Sequence, residues 1–320
     1  RIRCPLARVL ESAPMNPSSR IAGTAAGRPA LWPGLAFALI GSIAFSGKAI
    51  IVKLAYRHGT DAVTLLMLRM LFALPLFLAL AWWSGRGRPA LSRRDWGAVF
   101  GLGFSGYYLA SFLDFLGLAY ISASLERLIL YLNPTLVLLL GVLLHGRKVS
   151  ARQLLALAVS YGGVLLVFGH ELNDLGPNVG LGTLLVFGSA LSYAVYLVQS
   201  GQEVQRLGAL RLTGLATTVA CLLCIGQFLL LRPLESVLAV PAPVLWLSLL
   251  NATACTFAPV ILVMMGIERL GATLAAQTGL VGPMSTILMG IFILGEPMTP
   301  WILGGTALVL AGVALLARWR

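Results

Sequence analysis

The chain has 320 residues, of which 58% are hydrophobic and only 11% charged, and its mean hydropathy is +0.91. A soluble domain is about half apolar and about a quarter charged, so this composition excludes a protein with an ordinary water-facing surface and indicates one surrounded by lipid. The net charge of +12 does not indicate nucleic acid as a partner, because the basic residues lie between apolar segments rather than on one face with aromatic residues.

The first 31 residues differ from the rest of the chain. Residues 1–31 are rich in Arg, Pro, Gly, Ser and Ala and predict a mobile N-terminal tail. Met15 is a candidate translation start, which would leave residues 1–14 outside the natural protein. No cleavable signal peptide is predicted, because the first apolar segment is long enough to remain as an anchor.

Ten apolar segments follow the tail, each close to the roughly 20 residues that a helix needs to cross the hydrocarbon core. In chain order they cover about 34–56, 62–84, 96–118, 122–144, 150–169, 179–200, 210–231, 244–267, 272–294 and 300–317. The connections between them are short and leave no room for a soluble domain. The sequence therefore predicts an all-α polytopic membrane protein with ten transmembrane helices.

The distribution of Lys and Arg predicts how these helices are oriented. With a cytoplasmic N-terminus, 17 of these residues fall in cytoplasmic segments and two, Arg57 and Arg232, fall in outer loops. Positive residues are enriched on the cytoplasmic side of membrane proteins. We therefore expect a multi-pass protein of the inner (plasma) membrane with both termini in the cytoplasm.

The chain contains an internal repeat. At an offset of 149 residues, the fourth and fifth segments fall on the ninth and tenth without a gap. Matched pairs are Pro134 with Pro283, Gly117 with Gly266, Gly141 with Gly290 and Gly146 with Gly295. Because five spans is an odd number, the second copy must enter the membrane from the opposite side. We predict two inverted five-helix repeats, at 32–170 and 179–318, which is a physical basis for alternating access.

Three stretches carry a family resemblance. They are Gly295-Glu296-Pro297-Met298-Thr299-Pro300 continuing to Gly312-Val313, Ala119–Ala123 before Pro134, and Lys53 to Arg69. Over about residues 34–317 the chain resembles the ten-helix EamA-type transporters of the drug/metabolite transporter superfamily. The resemblance implies export of metabolites or amino acids from the bacterial cytoplasm through a cavity between the two halves.

Two departures limit what the resemblance implies. Arg147 stands in the first repeat where Glu296 stands in the second. The first segment contains Lys48 and no acid, whereas the small multidrug-resistance relatives use a glutamate there. Their exchange of a cation for protons is therefore not carried over to this chain.

Charged residues within the spans are candidate functional residues, because a charge at membrane depth is costly unless it is paired or hydrated. Lys48 lies deepest, and two roles fit it: a salt bridge to Asp114 or Glu126, or a contact with a substrate carboxylate or phosphate. Lys53 and Arg69 are closer to span ends, where we expect their head groups to reach the interface.

Other span residues complete the candidate site. Asp114 and Glu126 are proton-coupling candidates, because a carboxyl group in a dry site tends to protonate; static ion pairing is the alternative. The predicted substrate-binding residues are Lys48, Tyr107, Arg127, Tyr193, Tyr196 and Gln277. Pro134 and Pro283 are predicted hinges, because proline removes a helical hydrogen bond, and a static kink is the alternative.

These features favour a secondary transporter that exports a small metabolite, such as an amino acid or organic anion, with proton coupling as a hypothesis. The alternatives are a membrane receptor or scaffold and, less favoured, a membrane enzyme. No H-E-x-x-H, P-loop or G-x-S-x-G motif is present, so we expect no enzyme, and no metal or cofactor. The expected partners are a small-molecule substrate and the lipid bilayer, and the expected state is a monomer or homodimer.

Overall fold

The computed structural model describes residues 31–145, 150–175, 178–270 and 281–318, and within these ranges all regular structure is helical. We number the ten membrane segments α1 to α10. Six of them are single α-helices: α1 (Leu31–Tyr56), α2 (Ala62–Gly85), α5 (Ala151–Leu175), α6 (Asn178–Leu207), α7 (Ala209–Leu231) and α10 (Pro300–Arg318).

The other four segments are irregular. α3 runs through Arg93–Leu102, a π-helical stretch Gly103–Leu109, and Ala110–Leu118, and α4 is divided into Ala123–Leu130 and Asn133–His145. α8 comprises Ala242–Ala252, a π-helical stretch Thr253–Phe257, and Ala258–Leu270, and α9 comprises Val281–Met289 and a π-helical stretch Gly290–Leu294. A single helical turn, Glu235–Leu238, connects α7 to α8.

The described helices have the dimensions of membrane spans. Eight are long and apolar enough to cross a bilayer, and two apolar helices, Met284–Leu294 and Pro300–Leu315, are shorter. The predicted start of the ninth segment, residues 272–280, lies outside the described residues. Exposed tryptophans lie near both ends of the bundle: Trp32, Trp82, Trp83 and Trp96 toward one end, and Trp246 and Trp301 toward the other. Such aromatic belts are typical of the two membrane interfaces, and the all-α polytopic prediction is confirmed.

The helices pack in a pattern that survives exchange of the two halves. α1 packs against α8 and α9, and α6 packs against α3 and α4, while α2 pairs with α7 and α5 with α10. Adding five to a helix number in the first half, and subtracting five in the second, exchanges the contacts of α1 with those of α6 and converts the α2–α7 and α5–α10 pairs into themselves. Two of the three described π-helical stretches follow the same rule, since an offset of 149 residues places Gly103–Leu109 on residues that contain Thr253–Phe257.

The α5–α10 pair shows why glycine recurs in these helices. A Cβ atom added to Gly163 would lie 2.6 Å from the carbonyl oxygen of Gly305, and one added to Gly305 would lie 2.7 Å from that of Gly163. The two backbones touch, which small residues permit in membrane helices.

α2 lies at the centre of the larger apolar core. Leu66, Met70, Ala73 and Phe77 recur at helical spacing along it and are each at most 1% exposed. Phe77 contacts Phe257 of α8 edge to face, with ring centroids 5.4 Å apart. One face of α2 is therefore buried in the core, while Leu71 and Leu78 are exposed on another.

α4 is broken where a proline kink was predicted. The first helix ends at Leu130, and Pro134 is the second residue of the next one. The side-chain amide of Asn133 donates to the carbonyl of Leu130 at 2.7 Å, and Thr135 Oγ1 donates to that of Leu132 at 2.7 Å, so side chains satisfy carbonyls freed at the break. Pro283 is in the first turn that the structure describes of α9. The hinge role of both prolines stays a prediction.

Candidate functional site

Lys48, Asp114 and Glu126 meet where α1, α3 and α4 come together. The Nζ atom of Lys48 lies 2.6 Å from Oδ2 of Asp114 and 3.5 Å from Oε1 of Glu126. Asp114 is 1% exposed and Glu126 is fully buried. One ammonium group therefore serves two buried carboxylates, and the ion-pairing role considered for Lys48 is present in this conformation.

Arg127 connects this group to the second half of the chain. Its Nε atom lies 3.9 Å from Oε2 of Glu126 and donates to Oγ1 of Thr286 on α9 at 3.0 Å. Its Nη2 atom donates to the carbonyl of Phe45 at 3.4 Å. Adjacent helical residues point about 100° apart. Glu126 accordingly faces Lys48 while Arg127 reaches α9, although the two side chains stay within ion-pair distance.

α1 and α9 cross closely beside these charges. Ser46 Oγ donates to the carbonyl of Gly282 at 2.8 Å, and Thr286 Oγ1 donates to that of Ser46 at 3.4 Å. A Cβ atom on Gly282 would lie 3.3 Å from Ser46 Oγ. The charged cluster thus lies at the boundary between the two predicted repeats.

Several carboxyl oxygens of the cluster can still accept hydrogen bonds. In the part of the chain that the structure describes, Oδ1 of Asp114 and both oxygens of Glu126 have no hydrogen-bond donor. A buried acceptor without a donor is unfavourable. The arrangement can therefore bind a proton, or the amino or hydroxyl group of a solute.

The predicted tyrosines form a separate layer between α3 and α6. The hydroxyls of Tyr107 and Tyr196 lie 3.1 Å apart, and the ring centroids of Tyr193 and Tyr196 are 5.4 Å apart in a stacked arrangement. Tyr107 and Asp114 are separated by seven residues of α3, about 10 Å at the helical rise. The structure therefore does not bring the tyrosines onto Lys48. Gln277 lies outside the described residues, and the substrate-binding roles of all these residues stay predictions.

A cavity of about 480 Å³ opens at the end of the bundle where α1 finishes. No pattern in the sequence indicates this cavity. Its lining comes from the end of α1, the α3–α4 connection, the end of α5 and the α9–α10 connection, and includes Lys53, Tyr56, Arg57, Ser122, His170, Glu171, Glu296 and Thr299. Charged and polar groups from both predicted repeats therefore surround one opening.

Two acids of this cavity hold the first turn of α4. Glu296 accepts hydrogen bonds from the Ala123 backbone N–H and the Ser124 hydroxyl, both at 2.8 Å. Glu171 accepts from the backbone N–H of Ser122 at 3.2 Å and from its hydroxyl. A helix N-terminus has unpaired N–H groups and a partial positive charge, which favour carboxylates. We call Glu171, Glu296 and residues 122–124 the α4 clasp.

Two cations of the cavity donate to backbone carbonyls. Lys53 Nζ donates to the carbonyl of Ile121 at 2.7 Å, and Arg57 donates to that of Leu294. The expected snorkelling of Lys53 is therefore replaced by a contact with the α3–α4 connection. For Arg69 the expectation was wrong, because Arg69 lies on the buried face of α2 and is only 7% exposed.

Little in the sequence signalled this cavity. Glu296 belongs to the stretch that carries the family resemblance, but its partners are backbone and hydroxyl groups with no pattern of their own. Glu171 lies beyond the predicted end of the fifth segment at residue 169, whereas α5 continues to Leu175. Within the described ranges, no three His, Cys, Asp or Glu side chains come together as a metal site would require.

Comparison with known proteins gives the family. The model of the EamA-like transporter family matches the chain twice, over residues 32–169 and 180–318. The uncharacterized transporter YcbK of Bacillus subtilis (strain 168) is 32% identical over 273 residues, which cover 82% of this chain and 86% of that protein. The uncharacterized transporter YetK of the same organism is 22% identical over 281 residues, covering 87% and 83%.

Two further similarities agree with this. The uncharacterized protein PA1977 of Pseudomonas aeruginosa is 28% identical over 289 residues, covering 89% of this chain and 95% of that protein. A protein of known crystal structure superposes with a TM-score of 0.59 at 19% identity, covering 89% of this chain and 96% of that chain, which shows a shared fold. The chain belongs to the EamA-like transporter family and is a multi-pass membrane transporter.

Proposed function

We propose that this transporter exports a small anionic or zwitterionic metabolite, such as an amino acid or organic anion, and couples its movement to protons. The observation that carries this proposal is the single Lys48 ammonium shared between Asp114 and Glu126 at the boundary of the two halves. The site offers a cation for a solute carboxylate and acids for a solute amine or a proton.

Because Asp114 and Glu126 share the Lys48 ammonium, the binding of a solute and the binding of a proton are coupled. A solute carboxylate that binds Lys48 competes with Asp114 and Glu126 for it. A buried carboxylate that loses its cation is costly at membrane depth, and protonation removes that cost. Solute binding therefore favours proton binding, and by linkage a proton on either acid frees Lys48 for the solute. The two ligands are then carried in the same direction, so an outward solute gradient drives export together with a proton.

The packing of the helices supports alternating access. The contacts of α1 with α8 and α9 have counterparts in those of α6 with α3 and α4. Two such halves can exchange conformations at similar packing energy. In the orientation predicted from Lys and Arg, the cavity beside Glu296 faces away from the cytoplasm of the cell and lies about one to two helical turns beyond Lys48.

The test is transport by the purified protein in proteoliposomes, measured as counterflow with a labelled panel of amino acids and organic anions, with and without a pH gradient. The wild-type protein should exchange at least one solute and accumulate it when a pH gradient is imposed. Glu126→Gln should keep exchange but lose accumulation driven by the gradient, and Lys48→Met should lose both.

Glu235→Gln is the matched control, because Glu235 is an exposed acid in the α7–α8 connection. It should behave as the wild type does. Wild-type exchange in Lys48→Met would remove Lys48 from the solute path. Gradient-driven accumulation in Glu126→Gln, and likewise in Asp114→Asn, would remove proton coupling from this site.

A further inference from the structure

Arg69 is a buried cation without a close ion-pair partner among the described residues. It lies on α2 and is 7% exposed. Its Nε atom donates to Oγ1 of Thr256 on α8 at 3.1 Å. Among the described residues it makes no ion pair within 4.0 Å, and its Nη1 atom is buried without a hydrogen-bond partner. A guanidinium at membrane depth is costly in this state.

Thr256 holds the guanidinium in one orientation. Its hydroxyl donates to the carbonyl of Asn251 at 2.7 Å, so its oxygen accepts from Arg69. Thr256 lies within the π-helical stretch Thr253–Phe257, and its bond to the Asn251 carbonyl spans five residues, as in a π turn. With Nε committed to Thr256, Nη1 is the guanidinium nitrogen that is buried without a partner among the described residues.

The other neighbours of Arg69 do not neutralise it. The ring of Phe115 lies beneath it, 5.2 Å from Cζ to the ring centroid. The thiols of the buried, free cysteines Cys221, Cys224 and Cys255 are within electrostatic reach, and so is the carboxylate of Asp114, which forms its ion pair with Lys48. Aromatic and thiol groups soften the cost of a buried cation, but they supply no negative charge.

Charge balance across the buried cluster points to one missing anion. Phe115 follows Asp114 directly, so Arg69 lies beside the cluster formed by Lys48, Glu126 and Arg127. That region holds three cations, at Lys48, Arg69 and Arg127, against two acids. Lys48 and Arg127 share the two acids, which leaves Arg69 as the unbalanced charge.

A second buried polar group supports a ligand. Asn251 is fully buried, and neither atom of its side-chain amide has a hydrogen-bond partner in the described part of the chain. Buried amides are nearly always paired with protein or water, so an unpaired one signals a ligand or solvent site. The Asn251 backbone is one contact from the guanidinium, through Thr256, and both a guanidinium and an amide can donate to a carboxylate.

We propose that Arg69, oriented by Thr256, binds a small monovalent anion, with the carboxylate of a small solute as its first candidate. Anion binding stands independently of transport, whereas identifying the anion with the exported solute rests on the proposed function. An inorganic anion such as chloride shares the same chemistry. The experiment below therefore contains an arm for each source and measures binding rather than flux.

The test is thermal unfolding of the purified full chain in detergent, titrated with sodium acetate in one arm and sodium chloride in the other. A ligand that binds only the folded protein raises Tm with its concentration. The wild type should show a saturable rise that Arg69→Met abolishes. Thr256→Val should shift the titration to about tenfold higher concentration, as expected for a lost charge-assisted contact. Arg86→Met is the control, since Arg86 stacks on exposed Trp82 at the end of α2.

The two arms separate the sources of the anion. A rise with acetate identifies a carboxylate ligand, a rise with chloride alone identifies an inorganic ion, and either supports the site if Arg69→Met removes it. A wild type with no response overturns the proposal, and so does a response that persists in Arg69→Met, whatever the transport assays give. If Arg69→Met does not fold, the shift of the titration in Thr256→Val, which keeps the charge of Arg69, provides the test.

Discussion

Replacing Glu296 with alanine should open the cavity at the end of α1. Glu296 accepts two hydrogen bonds of 2.8 Å from the first turn of α4, one from Ala123 N–H and one from the Ser124 hydroxyl. A lost partner at a helix N-terminus costs about 0.5–2 kcal/mol, and a hydrogen bond to a charged group contributes about 1.5–3 kcal/mol. Because Glu296 is half-buried and water can replace it in part, we expect the loss of both hydrogen bonds to destabilise the α4 clasp by about 2 kcal/mol.

A second substitution displaces the same carboxylate without removing it. A Cβ atom added to Gly290 would lie 2.8 Å from Oε2 of Glu296. Gly290→Ala should therefore push the Glu296 side chain away from Ser124 while keeping its charge. Both changes should loosen the α4 clasp, with Gly290→Ala the weaker of the two, because the flexible carboxylate can move to a new position.

The assay is labelling of a cysteine placed at Ile302, which lines the cavity and is 5% exposed. It uses a membrane-impermeant maleimide and a background in which the four native cysteines are replaced. If labelling follows the population of the open state, 2 kcal/mol corresponds to about a thirtyfold faster reaction. Glu235→Ala should leave the rate unchanged. Unchanged labelling in both Glu296→Ala and Gly290→Ala would refute the reasoning that the clasp limits access to the cavity wall at Ile302.

Two further predictions concern stability. Gly163→Leu should lower Tm in detergent, because overpacking the α5–α10 contact costs about 1–3 kcal/mol or more. Gly162→Leu should not lower it, because nothing lies within 4 Å of a Cβ atom at that position. Equal effects of the two substitutions would contradict this packing. Burial acts to raise the pKa of Asp61, but hydrogen bonds from Thr64 and the charge of Arg232 hold that pKa below its ordinary value. The stability that Asp61 contributes is therefore complete above about pH 4 and lost as the pH falls through the lowered pKa, so acidification should reduce Tm more in the wild type than in Asp61→Asn.

The helices were predictable because composition and length alone define a membrane span. Their ends were less so, because local contacts determine them. α3 begins at Arg93 rather than near residue 96, because Ser92 and Asp95 form a capping box in which each side chain bonds the other's backbone N–H. α6 continues past residue 200 to Leu207 and stops before Gly208, whose φ of 84° favours glycine.

Only the ion pairs of the candidate site could be predicted from the sequence. A lysine inside a span requires a partner, and Asp114 and Glu126 were the acids within reach, so their meeting followed from electrostatics. Arg69 was misjudged, because its distance from the span end suggested an interfacial position, and only the packing of α2 shows that it is buried. The α4 clasp joins residues far apart in sequence through backbone groups, which no residue pattern reveals.

The packing of the helices, which forms the frame of this protein, is symmetric between the two halves, but the charged contacts are not. Arg127 of α4 and Thr286 of α9 meet beside α1 and Lys48, whereas Tyr193 and Tyr196 of α6 pack beside Tyr107 of α3. If the two halves exchange conformations during transport, the shared frame makes the packing of the exchanged states similar, and the unequal charges decide which state is populated. The clasp connects elements near the end of α1, and the Lys48 pairs connect α1 to α3 and α4 deeper in the bundle, so both favour the conformation described. A ligand shifts such an equilibrium only by its differential affinity for the two states. The solute that competes for Lys48, or the proton that neutralises its acids, is therefore the ligand expected to drive the exchange.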